Sequence, residues 1–313
     1  MFCAQSQEQL DHLFSEVYKL ADDHFGQLHI SDDIFDGKSW QHLARDRRLA
    51  GIPLSSTNSP AAKWMRSAAV LRLIALAAFD YLFQPVYLTG TGWEVGQVLQ
   101  HLYALDRTRA QWVRSVLLSV DQKSQAGNGN KREKAVVEEV FGSVGFLLSS
   151  SDGSPRNQNT FRKALQEWCT KTRNYWMELQ QLEERFIAII DQEGGIIRSD
   201  HWKPLPDKSA LPTHGVETAK ANGTKRQSGQ PKAVVGDIMA QIWPVFYLQR
   251  GEDPGLQLFK RGYVLDETQV AAAQAEVNRR SVPSAQSNLY VMPLRDGVNT
   301  STDNINSFLS EGA

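Results

Sequence analysis

The chain has 313 residues, of which 41% are hydrophobic and 22% are charged. This composition supports a core for one large domain or two small ones and excludes disorder of the whole chain. A net charge of −1 excludes a general electrostatic attraction to nucleic acid or to anionic lipid. The two cysteines, Cys3 and Cys169, exclude a disulfide framework.

The N-terminal residues predict an amphipathic helix without a secretory signal. Apolar residues recur at three- and four-residue steps between positions 7 and 25, which is the pattern of a helix with one buried face. The basic stretch and following apolar run that a signal peptide requires do not occur there. We therefore expect an intracellular protein, cytoplasmic or nuclear, that is not secreted.

Residues 59–88 predict the central helix of the protein. Apolar side chains occupy nearly every side of this stretch, so the helix must be covered all round by lipid or by other helices. Ser59 predicts the N-cap, Pro60 the first helical position and Pro85 the end. Charges interrupt the run too often for a membrane span, which needs about 18 uncharged apolar residues. The interrupting residues are Lys63, Arg66, Arg72 and Asp80. We expect a helix over residues 60–84 at the centre of a helical domain.

Arg72 and Asp80 are the residues that a purely apolar central helix does not explain. An unpaired charge inside the domain would cost several kcal/mol. The two residues lie about 80° apart around an ideal helix, which argues against a direct ion pair. They predict ionic contacts with neighbouring helices or, alternatively, a polar pocket. The candidate pocket residues are Arg72, Asp80, Tyr81 and His101.

Residues 93–105 and 107–120 predict two short antiparallel helices, the second capped by Asp106. The second helix is predicted to bury an apolar stripe and to keep its arginines off that stripe. The stripe residues are Trp112, Val113, Val116, Leu117 and Val120, and the arginines are Arg107, Arg109 and Arg114. The composition of residues 122–134 predicts a solvated loop, and residues 135–148 return to a helical pattern.

Residues 156–193 carry the most regular heptad pattern of the chain and predict one long helix. Ser154 and Pro155 predict its start, and Gly194 with Gly195 predicts its end. We name its apolar stripe the heptad seam and interpret it as a surface for a protein partner or for self-association. The heptad seam consists of Phe161, Leu165, Trp168, Tyr175, Leu179, Leu182 and Phe186.

The C-terminal part predicts a linker followed by a segment that docks on the bundle. Residues 196–236 are rich in Pro, Ser, Thr, Gly and Lys and predict a flexible linker, because they cannot bury enough apolar surface to become ordered. Residues 237–282 are apolar enough to dock, with an element broken at Pro244. Within them, Asp266 and Gln269 resemble a capping box at the start of a helix.

Together these patterns predict an all-α fold. An irregular helical bundle domain of residues 1–195 surrounds the central apolar helix and includes the long heptad-patterned helix. The C-terminal region is predicted to be partly disordered and to end in a loose tail at residues 283–313, where polar residues predominate.

Sequence signatures of chemistry are missing from the chain. It has no G-x-S-x-G motif, and Cys169 follows Trp168 in a helical stripe typical of a buried thiol. The histidines show no H-x-x-x-H pairing and the cysteines no C-x-x-C pairing. We therefore predict no catalytic residue, no metal site and no cofactor. Nucleic acid is disfavoured as a partner because acidic residues accompany the basic ones between positions 131 and 139.

Four segments resemble a group of uncharacterised helical proteins of filamentous fungi. They are KWMRSAAVLRLIALAAFDYLFQPVYL, WVRSVLLSV, HWKPLP and GYVLDETQVAAAQAEV. The resemblance extends over residues 61–277 and implies a fungal, intracellular origin. It implies no activity and no functional residues.

The leading functional prediction is a noncatalytic protein-interaction, scaffold or regulatory protein, because long apolar stripes suit partner binding. One alternative is a helical-pocket enzyme or small-ligand binder that uses the polar residues of the central helix. Another is a nuclear regulator with weak nucleic-acid contact. A pocket lined by titratable groups would favour the enzyme or ligand binder, whereas an exposed apolar surface would favour protein binding.

Overall fold

The computed structural model describes residues 2–88, 93–149, 156–190, 199–207, 237–250 and 255–281. These ranges contain nine α-helices and six strands, so the fold is mixed α/β and the prediction of an all-α fold is wrong. The helices are α1 (Phe2–Ala21), α2 (Asp32–Asp36), α3 (Lys38–Ala44), α4 (Pro60–Tyr81), α5 (Trp93–Leu105), α6 (Arg107–Ser119), α7 (Gln122–Val144), α8 (Arg156–Gln180) and α9 (Glu267–Ser281). The strands are β1 (Arg185–Ile189), β2 (Trp202–Pro204), β3 (Ile238–Trp243), β4 (Val245–Gln249), β5 (Gln257–Lys260) and β6 (Gly262–Asp266).

Helix α4 is the central helix that the sequence predicts. The Ser59 hydroxyl oxygen accepts a hydrogen bond from the Ala62 amide at 3.0 Å, and Pro60 takes the first helical position. The helix is buried on nearly all sides because α1, α7, α9 and β3 pack around it. It ends at Tyr81, slightly before the predicted end at residue 84.

The last four strands form one long β-hairpin that bends in the middle. β3 pairs with β6 and β4 pairs with β5, both antiparallel, and the chain crosses between two three-stranded sheets at Pro244 and Arg261. β1 extends this ribbon beside β4, and β2 lies parallel to β6. Proline has no amide hydrogen to donate to a neighbouring strand. The predicted break at Pro244 is therefore confirmed, as the corner between β3 and β4.

The predicted capping box at the start of α9 is confirmed. The Asp266 carboxylate accepts a hydrogen bond from the Gln269 amide at 3.0 Å, and the Gln269 side-chain oxygen accepts one from the Asp266 amide at 3.2 Å. The helix that it starts packs against α4, β3 and β6. Strand β6 and α9 thus reach the central helix from the C-terminal part of the chain.

The long helix predicted over residues 156–193 is wrong in its last third. α8 ends at Gln180, and the chain continues as β1. In that strand Phe186 and Ala188 are buried while their neighbours are half-exposed, which is the two-residue period of a sheet. Because Phe186 also fits the heptad spacing, the apolar pattern alone does not reveal the change from helix to strand.

Two predicted loop regions contain regular structure. Residues 122–134 form the first half of α7, which Asp121 caps by accepting a hydrogen bond from the Ser124 amide at 3.0 Å. Residues 199–207, inside the predicted linker, hold a short 3-10 turn and β2. Outside the described residues lie the rest of the linker, the tail at 283–313 and the helix signals at 154–155 and 194–195.

One apolar core joins the helices to the bent ribbon. It takes side chains from α1, α4, α7, α8 and α9 and from five of the six strands. Aromatic rings contact one another at its centre, with Phe83 lying edge-on to Trp176, Trp243 and Phe246. No described side chain of α5 or α6 belongs to this core.

Candidate functional site

Arg72, the first predicted pocket residue, is buried beside the edge of the sheet. Its Nε donates to the Arg48 carbonyl oxygen and its Nη1 to the Gln241 carbonyl oxygen. Gln241 lies on β3, an edge strand whose outer backbone groups need partners. Arg72 therefore joins the central helix to a loop and to the sheet, which is a structural task.

Asp80 and Tyr81 lie at the rim of the domain, at the end of α4. Asp80 is exposed, yet partial desolvation raises the pKa of its carboxyl and the nearby Glu139 adds to the rise. Partial burial and Glu139 likewise raise the pKa of Tyr81. Arg48 forms ion pairs with two carboxylates at this rim. Its guanidinium lies 2.8 Å from Glu139 and 2.7 Å from Asp46. The group is a surface ion cluster around one arginine.

His101, the fourth predicted pocket residue, lies apart from this rim cluster on the exposed side of α5. Its Nδ1 is 3.2 Å from the Gln97 carbonyl oxygen of the preceding turn. Three surface grooves formed by described residues have volumes of about 440–490 Å³, and among the four candidates only His101 lines one of them. The structure therefore does not bring the predicted pocket residues together in a cavity.

The heptad seam lies inside the molecule. Five of its residues are buried in the apolar core, and Tyr175 and Leu182 are half-buried against it. The buried five are Phe161, Leu165, Trp168, Leu179 and Phe186. The folded domain therefore covers most of the seam, so the seam is not an exposed apolar surface.

A different apolar surface is exposed, on the hairpin formed by α5 and α6. Asp106 joins the two helices and caps the second, with its carboxylate accepting a hydrogen bond from the Arg109 amide at 2.9 Å. Leu105 is 85% exposed and Trp112 is 67% exposed, although most residues of this size and type are buried. We name the exposed large apolar residues of this region the hairpin surface. It consists of Val98, Leu105, Trp112, Val116 and Val120.

Several residues of α6 that the sequence predicts to be buried are exposed, and one arginine that it predicts to be exposed is buried. Trp112, Val116 and Val120 of the predicted buried stripe are exposed, whereas Arg114 is buried. The guanidinium of Arg114 donates to the carbonyl oxygens of residues 182–184, in the turn between α8 and β1. These bonds give donors to three carbonyl groups of that turn, so the helix turns its arginine inward and its tryptophan outward.

The sequence signal that could have predicted this surface is the amphipathic pattern of α6. The apolar residues of α6 recur at the spacing of one helix face, and the sequence interpretation identified them correctly as a stripe. The pattern cannot say whether such a stripe faces the protein's own core or solvent. That choice depended on Arg114 and on the carbonyl groups it reaches, which lie about 70 residues further along the chain.

The hairpin surface has a groove and a basic surround. Val98, Leu102 and Leu105 line the groove on α5, whose volume is about 450 Å³. Residues 95–134 contain seven Lys and Arg residues but only three Asp and Glu residues, whereas the whole chain has a net charge of −1. Arg109 lies three residues before Trp112 and so flanks it on the helix surface.

The described residues show no arrangement for nucleophilic or metal chemistry. Burial raises the pKa of the Cys169 thiol, which keeps it protonated and unreactive. In the described ranges no group of three or more His, Cys, Asp and Glu side chains is placed to hold a metal ion. None of the helices in those ranges is both long enough and apolar enough to cross a bilayer.

Comparison with known proteins assigns neither a family nor a function to this chain. The resemblance to fungal helical proteins therefore stays a prediction. No protein-family model, no curated protein and no solved structure matches this chain.

Proposed function

We propose that this protein is a noncatalytic binding protein that receives an acidic amphipathic helix of a partner protein on the hairpin surface. The observation that carries the proposal is the exposure of Trp112 together with four other large apolar residues on one pair of helices. Large apolar side chains exposed on two neighbouring helices are typical of protein-binding sites. Tryptophan is also among the residues that most often dominate binding energy.

The nature of the partner is inferred from the shape and charge of the surface. A groove along α5 and a stripe along α6 suit a helix whose own apolar residues recur every three or four positions. The exposed Arg109, three residues before Trp112, favours acidic flanks on that helix. The proposal includes a cytoplasmic or nuclear location, because the unpaired thiol of Cys169 suits a reducing compartment.

The test is selection of binding peptides by the full chain. A displayed library of helices of about 20 residues would keep a fixed apolar repeat and vary the flanking positions freely. We expect enrichment of Asp and Glu at the flanks. The affinity of the enriched peptides, measured by fluorescence anisotropy, should fall at least about tenfold in Trp112→Ala, since truncating a central aromatic anchor commonly costs 2 kcal/mol or more.

Matched variants distinguish specific binding at the hairpin surface from nonspecific binding to exposed apolar side chains. Leu256→Ala removes another exposed apolar side chain, outside the hairpin, and should leave the affinity unchanged. Arg109→Glu should weaken acidic peptides and lessen the effect of salt on binding. Three results would overturn the proposal: enrichment of basic peptides, equal affinity in Trp112→Ala, or occupation of the surface by a second copy or by single-stranded nucleic acid in competition.

A further inference from the structure

Beneath the hairpin, on the side away from the hairpin surface, two arginines meet one tyrosine. Tyr103 comes from α5, Arg114 from α6 and Arg185 from β1. The guanidinium carbon of Arg185 lies 4.2 Å from the centre of the Tyr103 ring. Tyr103 is 6% exposed and Arg114 is 3% exposed. We name these three residues the Tyr103 cluster.

Polar atoms of the Tyr103 cluster lack hydrogen-bond partners. The Tyr103 hydroxyl and the Arg114 Nε are both buried, and neither has a partner among the described residues. Leaving such a group unsatisfied costs about 1–3 kcal/mol. Native proteins pair most buried polar groups, so two orphaned atoms in one cluster point to a ligand.

The charges of the cluster are also unbalanced. Arg114 uses its terminal nitrogens on three carbonyl oxygens, and Glu184 is the one carboxylate that acts on it. The Arg185 guanidinium lies over the Tyr103 ring, while its backbone pairs with Gln249 in the sheet. Burial, reinforced by repulsion from Arg114, lowers the pKa of Arg185 to about 10. A cation held in this way gains from any anion that reaches it.

We propose that the Tyr103 cluster binds a small oxyanion, a phosphate or a carboxylate. Arg185 is only partly buried, unlike Tyr103 and Arg114, and the planar guanidinium of arginine binds both classes of anion through paired N–H donors. The Tyr103 hydroxyl and the Arg114 Nε are further donors of the same cluster that have no partner among the described residues. The bound anion would also join α5 and α6, which contribute no described side chain to the apolar core, to β1, which does contribute to it.

The test measures anion binding by the full chain in two arms. Inorganic phosphate and succinate are each titrated at constant ionic strength, with calorimetry for affinity and thermal unfolding for stability. We expect at least one anion to bind and to raise the melting temperature. A response to phosphate alone assigns a phosphate ligand, a response to succinate alone assigns a carboxylate, and a response to both assigns a general oxyanion site.

Variants connect the response to the cluster. Arg185→Gln should weaken anion binding at least about tenfold, whereas Arg45→Gln, on an exposed arginine outside the cluster, should bind as the natural chain does. Tyr103→Phe should have two opposite effects. Without anion the melting temperature should stay equal or rise, because the orphaned hydroxyl is gone, and with anion the stabilisation should shrink.

Three results would overturn the inference. The first is the absence of binding by both anions at millimolar concentration. The second is unchanged binding in Arg185→Gln. The third is a lower melting temperature of Tyr103→Phe together with unchanged anion binding, which would make the hydroxyl a purely structural group. None of these measurements uses a peptide, so the inference and the proposed function fail or succeed separately.

Discussion

The surroundings of α4 and the α5–α6 hairpin are built from similar helices but are held in place differently. α4 is packed by helices and by β3 within one apolar core. The hairpin contributes no described side chain to that core and keeps Leu105 and Trp112 in solvent. It is attached to the body through arginines, above all Arg114 on the carbonyl groups after α8. The comparison teaches that, among the described residues, the apolar core and the most exposed large apolar side chains lie on different elements.

The largest effect expected is from truncating a core tryptophan. Trp176 is 1% exposed and its indole donates to the Gln84 carbonyl oxygen at 2.9 Å, so Trp176→Ala should lower the free energy of unfolding by about 3–5 kcal/mol. Trp112→Ala in the hairpin should change it by less than about 0.5 kcal/mol. Urea denaturation followed by circular dichroism measures both values. Equal losses would abolish the distinction between the two regions.

Removing a buried arginine should separate global from local stability. Arg72→Met removes the hydrogen bonds that Arg72 donates to the carbonyl oxygens of Arg48 and Gln241 and should lower the free energy of unfolding by about 2–4 kcal/mol. Arg114→Met should instead release the hairpin. Its expected signature is faster amide exchange in α5 and α6 with little change in α4, as native-state hydrogen exchange would show. Uniformly faster exchange in Arg114→Met would contradict this view.

A smaller effect is expected at Gly51, where the loop meets the sheet. Gly51 has a φ of +83°, and a Cβ there would lie 1.9 Å from the Met239 carbonyl oxygen. Gly51→Ala should therefore cost about 1–3 kcal/mol through backbone strain and close contact. Gly142→Ala is the control, since Gly142 lies in α7 with open space around it. That change should stabilise the helix by about 0.5–1 kcal/mol, and thermal melting would reveal the opposite signs.

The smallest effect expected is a pH dependence of stability that arises from Asp46 and its ion pair with Arg48. Partial burial alone would raise the pKa of Asp46, but hydrogen bonds from Arg48 outweigh it and hold the pKa below its ordinary value of 3.8. The stabilisation is therefore present above pH 3.8 and is lost as the pH falls through the lower folded-state value. Asp46→Asn should be less stable than the natural chain by under about 1 kcal/mol near neutral pH. Denaturation curves at several pH values should show this gap closing in acid, and a gap that widens in acid would contradict the assignment.

Local signals predicted the elements that depend on a few adjacent residues. The caps at Ser59, Asp106 and Asp266 and the break at Pro244 all appear where the sequence predicts them. Each involves backbone groups within about four residues, so its chemistry is complete in the local sequence. The start and position of α4 were predictable for this reason.

Partners distant in the chain decided what the local signals left open. Phe186 fits a helical repeat, and its place on β1 depends on pairing with Leu248. The sequence predicted that Arg72 would form ionic contacts or line a pocket. In the structure its guanidinium donates hydrogen bonds to the carbonyl oxygens of Arg48 and Gln241. The sequence pattern identified polar residues that need partners but could not identify which groups would meet them.

The sequence by itself determined that α4 must be enclosed, because apolar residues on every side exclude a solvated helix and its charges exclude a membrane span. Only the tertiary structure decided which apolar stripes are buried in the core and which are exposed to solvent. The heptad seam became core because α1, α7 and the sheet cover it, whereas the stripe of α6 turned outward because Arg114 had carbonyl acceptors beneath it. The physical reason is that hydrophobicity is a property of a residue, whereas burial depends on what the rest of the chain places against it.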